Sequence, residues 1–189
     1  MRLTTAMRRC FWRGKLGRRL NRAASDVRGV AAIEFSLIAV LLVVALLNTV
    51  DVARYFYMTM EVQNAAQIAG QAAWKTCDVS HLPATTNCPG LNHAITGAIQ
   101  ASSLGSGVTL ANGSPSEGYY CVNRSGSLVY VSSVSSKPSN CSSVGSASDQ
   151  PGDYIQVQVS YAYAPLFPGV SVGGTLTTPV TSTALMRLQ

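Results

Sequence analysis

Charge is scarce in this chain: Asp, Glu, Lys and Arg make up 12% of its 189 residues. Histidine is scarcer, with two residues. The short signatures of common enzymes are missing as well. There is no H-E-x-x-H and no G-x-S-x-G elbow, and Gly105-Ser106-Gly107 lacks the third glycine of a nucleotide loop. No internal repeat is visible. These absences argue against a catalytic constellation and against a resident cofactor. A body rich in Ser, Thr, Gly and Tyr suits a surface or secreted protein better than a cytosolic enzyme, and the length allows one domain with extensions.

The formal net charge of +6 points to nucleic acid until it is located. Nine of the 14 Lys and Arg residues fall in positions 1–29, opposed there only by Asp26. Residues 30–189 carry five basic and seven acidic residues. The chain is therefore a basic tail on a nearly neutral body. A short basic tail beside a membrane segment is not a nucleic-acid reader.

That membrane segment comes directly after the tail. From Phe35 to Val50 there are 16 residues without a charge, and counting from Val30 gives 21 with Glu34 the only charge. A bilayer core takes ~20 apolar helical residues. The positive-inside rule keeps the Arg-rich end cytoplasmic and exports the chain beyond Val50. Tyr55, Phe56 and Tyr57 stand where interfacial aromatics belong. The expected topology is a single membrane crossing, with the N-terminus cytoplasmic and the C-terminal part exported.

Cysteine usage agrees with export. Cys10 lies in the basic tail, and Cys77, Cys88, Cys121 and Cys141 lie beyond the span. Four thiols in an oxidising compartment suggest two disulfides, with three possible pairings. Neighbours in sequence favour Cys77–Cys88 and Cys121–Cys141.

Residues 1–29 read as a leader, and residues 30–75 as one long helix whose first half, 30–50, spans the membrane. In its second half Val52, Tyr55/Phe56, Thr59, Val62, Ala66, Ala69 and Ala73 recur at three- and four-residue steps. At ~1.5 Å per residue the helix would be roughly 70 Å long, about twice a membrane thickness. Residues 76–189 form the head. It holds a short amphipathic helix over Leu91–Leu104 with Leu91, Ile95, Ala98 and Ser102 on one face. A loop-like stretch comes next, with 16 Ser in 47 residues from Ser102 to Ser148. Strands are expected at Gly118–Asn123, Ser127–Val134, Tyr154–Tyr163 and near Val180–Leu188. The third alternates Ile155, Val157, Val159, Tyr161 and Tyr163 against polar residues. The predicted class is α+β: a long N-terminal transmembrane and amphipathic helix packed on a small antiparallel sheet.

The most informative spacing is Arg28-Gly29-Val30-Ala31-Ala32-Ile33-Glu34-Phe35. A basic leader ends in Gly, and an apolar helix has Glu at its fifth position. This resembles the type IV prepilins, and more narrowly the TadE-like minor pseudopilins of the tight-adherence (Flp-type) pilus system. The resemblance continues through the "RYFY…QNAAQIAGQAAW" texture of the long helix and returns in "VSYAYAPLFPGV". It implies a type IV pilin-like fold and cleavage between Gly29 and Val30 by a membrane prepilin peptidase. It also implies roles for Glu34 and Phe35 in recognition and assembly. The family prefers Tyr after that Glu, where this chain has Phe35. The implied partners are the peptidase, other pilin or pseudopilin subunits, an inner-membrane assembly platform and the lipid bilayer, with the head extracellular in an assembled pilus.

Physical chemistry is compatible with those roles. Gly29 offers a protease no side chain. A carboxylate within an apolar span is a functional-site hypothesis by default. Cleavage would create an ammonium at Val30, one helical turn from Glu34. Against this, Glu34 could simply be solvated by headgroups. The small residues Ala65/Ala69/Ala73 and Ala66/Gly70 could serve helix–helix packing in a bundle or packing on the chain's own sheet. Two other functions stay open: an uncleaved, signal-anchored periplasmic scaffold, and a pilus-tip adhesin with a Ser- and Tyr-rich face. Arg8-Arg9-Cys10-Phe11 hints at twin-arginine export, but the apolar run starts far downstream. Cys77, His81, Cys88 and His93 lack the tight CxxC of common zinc modules, so no metal is expected.

Overall fold

A computed structural model describes residues 27–189; residues 1–26, most of the expected leader, with Cys10 and most of the arginines, lie outside the described residues. Two units are distinguished, residues up to Thr49 and Val50–Gln189. In the first, the described residues are helical, the opening part of α1 (Val27–Thr76). Large apolar side chains stay exposed along it, among them Ile33, Phe35, Leu37 and Leu41. From Gly29 onward the helix is long and apolar enough to cross a membrane.

The second unit is α+β. It contains the remainder of α1, the short α2 (Ala84–Asn87), α3 (Leu91–Gln100) and five strands: β1 (Val108–Leu110), β2 (Ser116–Val122), β3 (Leu128–Ser133), β4 (Gly152–Tyr161) and β5 (Val180–Arg187). Every pairing is antiparallel. β4 is the central strand. It pairs with β5 along Tyr154–Tyr161 on one side. On the other side it pairs with β2 through its first half and β1 through its last three residues, and β3 extends the sheet from β2.

The sequence explains this arrangement. β4 alternates β-branched residues with glutamines, so Ile155, Val157 and Val159 all point into the core and are fully buried. The facing stripe of α1 is Val62, Ala65, Ala66, Ala69 and Ala73, at helical spacing and all buried. Small residues let helix and sheet approach closely. A Cβ added at Gly70 would lie 3.5 Å from Ala184 Cβ and 3.8 Å from Met186 Cβ of β5. Among the described residues, this stripe packs on the chain's own sheet.

Four local expectations shift. Among the described residues α1 already runs from Val27 through Gly29, ahead of the expected Val30, because one glycine costs a helix only about 1 kcal/mol relative to Ala. Of the Tyr55/Phe56 pair, Tyr55 turns inward and Phe56 is exposed. α3 ends at Gln100, and its buried face is Leu91, Ile95 and Ile99; four-residue steps bring Ile99 inward in place of Ala98, and Ser102 falls after its C-terminus. β1 lies inside the Ser-rich stretch, where composition alone predicts a loop.

Candidate functional site

At the start of α1 the prepilin-like residues lie on an open helical surface. A Cβ at Gly29 would meet nothing within 4 Å. Val30 is 57% and Phe35 72% exposed. Glu34 is exposed too, and its four-residue spacing from Val30 puts both on one face. Ser36 bonds back to the Ile33 carbonyl at 2.8 Å. Gly29, Val30, Glu34 and Phe35 thus lie within two helical turns and are not covered by the described part of the chain.

The disulfide candidates occupy two separate places in the head. Cys77 and Cys88 are bonded, Cα–Cα 5.8 Å, joining the end of α1 to the end of α2. Cys121 and Cys141 are bonded, Cα–Cα 5.7 Å, tying β2 to the loop before β4. His81 is exposed and shares a 3.1 Å hydrogen bond with Ser80.

A third constellation was missed by sequence reasoning. Asp51, the first charged residue after the apolar run, is fully buried. Its Oδ1 accepts the Leu166 amide at 2.9 Å, and its Oδ2 accepts the Phe167 amide at 3.3 Å and the Ser171 hydroxyl. The Tyr163 hydroxyl donates to the Asp51 backbone carbonyl at 3.0 Å. Beside it, Arg54 donates to the Ala164 carbonyl at 3.0 Å and lies 5.7 Å from the Tyr163 ring centroid. Tyr55 stacks edge-on against Tyr163 at 5.2 Å and donates to the Thr177 carbonyl at 3.3 Å. Burial pushes the Asp51 carboxyl up. The hydrogen bonds from Ser171, Leu166 and Phe167 and the Arg54 charge outweigh it and hold the group below its ordinary range. Burial, with the Asp51 charge, pushes the Tyr163 phenol up.

This is a carboxylate used as a clamp. The Asp51 side chain supplies the acceptors that a chain turning through Pro165, Pro168 and Gly169 cannot find within itself. Gly169 has φ +83, a backbone region that favours glycine. The signal available in the sequence was a lone Asp abutting a span, which reads equally well as a mere boundary residue.

At the opposite end of the sheet sits a second buried acid, Asp153, whose Oδ1 has no partner among the described residues. Burial and the neighbouring Glu117 charge, opposed by Lys137, push its carboxyl up to about 6; a hydrogen bond with Glu117 acts in the same direction as burial. Glu117 itself accepts the Ala84 and Thr85 amides at 2.8 and 2.7 Å, anchoring the start of α2 to β2.

No curated protein and no solved structure matches the chain. Residues 29–71 match the family model described as TadE-like protein, a stretch that contains Gly29, Glu34, Phe35, Asp51 and most of the small-residue stripe of α1, and over those residues the chain is similar to that family.

Proposed function

We propose that this protein is a minor pseudopilin of a tight-adherence, type IV-like pilus, a non-enzymatic part that primes, caps or joins the fibre after its leader is removed. The observation that carries the reading is the Gly29–Phe35 segment, standing at the start of a stretch of helix apolar enough to span a bilayer and within the TadE-like match. A prepilin peptidase would cut between Gly29 and Val30. Glu34 would then lie one turn from the new ammonium of its own chain or a neighbour's, and the positive end of the helix dipole favours a carboxylate there. Nine basic residues up to position 29 would hold the tail on the cytoplasmic side. The disulfide-bonded head would lie in the periplasm until other subunits and the inner-membrane platform draw it outward.

The test is the N-terminal sequence of the protein from cells with and without the prepilin peptidase. A chain starting at Val30 only when the peptidase is present, and blocked by Gly29→Lys, supports the reading. An intact N-terminus in both strains overturns it and leaves an uncleaved, signal-anchored scaffold.

A further inference from the structure

The stretch that Asp51 clamps is unusual in composition. No charged residue occurs between Asp153 and Arg187. Within this uncharged stretch the turn after β4 exposes apolar side chains: Leu166 is 51% and Val170 54% exposed. Its backbone is nonetheless firmly held. The Val170 and Ser171 amides bond the Phe167 carbonyl at 3.3 and 3.1 Å, and three residues of α1 grip the stretch from outside: Asp51, Arg54 and Tyr55.

Those three anchors decide where the turn sits along the chain. Asp51 comes one peptide bond after Val50, the last residue of the apolar run, a rise of ~1.5 Å in a helix. Whatever depth Val50 reaches in a bilayer, the anchor of the turn is at its edge. A charged Asp at that level would ordinarily face headgroups, but its carboxylate is saturated by the Leu166 and Phe167 amides and the Ser171 hydroxyl. The clamp thereby hides a charge and fixes an uncharged apolar surface in its place. Exposed Leu and Val are unfavourable in water at about 25 cal/mol per Å², and the boundary of a membrane covers such residues.

We propose that residues 164–171 form a second membrane contact, an interfacial foot through which the head rests on the bilayer, with Leu166 and Val170 entering the lipid. The occupant of this surface is the lipid bilayer. The proposal rests on the membrane-spanning part of the function above, and its consequence is that the head is held against the membrane until the helix is withdrawn.

The experiment uses the full chain with Trp12→Phe and Trp74→Phe, reconstituted in phosphatidylethanolamine–phosphatidylglycerol vesicles. These carry lipids with a nitroxide quencher either near the headgroup or deep in the acyl chain. Single tryptophans are placed by Leu166→Trp, Val170→Trp, Leu128→Trp on β3, and Leu41→Trp in the apolar run. The expected result is loss of Leu166→Trp and Val170→Trp fluorescence to the shallow quencher, clearly beyond the Leu128→Trp loss. Leu41→Trp should be quenched by the deep one. If Leu41→Trp is quenched while both turn variants behave like Leu128→Trp, the foot is overturned and the span stands. If the turn variants are shielded from lipid and aqueous quenchers alike, a second copy of the chain covers the turn and the proposal fails. If Leu41→Trp also escapes the lipid quenchers, the membrane-spanning reading itself fails.

Discussion

Tyr163 and Asp51, 112 positions apart, are joined by a 3.0 Å hydrogen bond from the phenol to the Asp51 backbone carbonyl. That bond survives any substitution of the Asp51 side chain, so the carboxylate's own contribution can be isolated. Asp51→Ala removes the acceptor of the Leu166 and Phe167 amides and of the Ser171 hydroxyl. It is expected to lower Tm and to raise hydrogen exchange at those two amides while the β4 amides stay protected. Asp51→Asn keeps one carbonyl oxygen and should fall between Ala and the parent. The pH dependence has a definite sign. The folded carboxyl sits below its ordinary value of 3.8, so its stabilisation is complete above that pH and fades as pH falls below it. Acid titration of parent and Asp51→Asn proteins, followed by tyrosine fluorescence, checks this.

Gly70 separates close packing from helix propensity. A methyl group there meets Ala184 and Met186 at ordinary van der Waals distances. Gly70→Ala should therefore be neutral or stabilising, by up to about 1 kcal/mol through propensity. Gly70→Leu must force α1 away from β5 and should cost about 1–3 kcal/mol. Equal destabilisation by both in urea unfolding would mean that α1 and β5 leave no room even for a methyl group.

The elements that could be read from the sequence were those whose signal is local. β4 announces itself through Ile155, Val157 and Val159, because alternation and burial coincide. The apolar run announces itself by length alone. β1 escapes because three residues, Val108–Leu110, are too few to show a period, and only β4 makes them a strand. Ile99 and the expected Ala98 are neighbours in a ten-residue helix, too short for the apolar period alone to separate them. The Asp51 clamp was illegible for a different reason. Its donors lie at Leu166, Phe167 and Ser171, and nothing local links a carboxylate to amides more than a hundred residues later.

The two disulfides close loops of different length, with sequence separations of 11 and 20. Loop-closure entropy gives each about 2–4 kcal/mol, somewhat more for the longer loop. Cys121→Ser with Cys141→Ser should therefore destabilise the head slightly more than Cys77→Ser with Cys88→Ser, as read from denaturant midpoints of the full chain in detergent. The short loop also has Glu117 holding the start of α2 through the Ala84 and Thr85 amides. Adding Glu117→Gln to the Cys77/Cys88 double variant should consequently cost more than Glu117→Gln alone.

Asp153 titrates in the opposite sense to Asp51. Its folded carboxyl is pushed up to about 6 by burial and Glu117, above the ordinary 3.8, so the folded state binds its proton more tightly than the unfolded state does. The native head then gains stability as pH falls from about 7 towards 4, and at neutral pH it carries the cost of ionising this carboxyl. Asp153→Asn supplies a neutral side chain of the same shape that can donate to Glu117. It should raise stability at pH 7, leave it nearly unchanged near pH 4, and flatten the profile between them. Urea midpoints of both proteins across that window decide the point. A variant destabilised at pH 7 would mean that the ionised carboxylate has a partner at that pH, with Lys137 the cation placed to provide it.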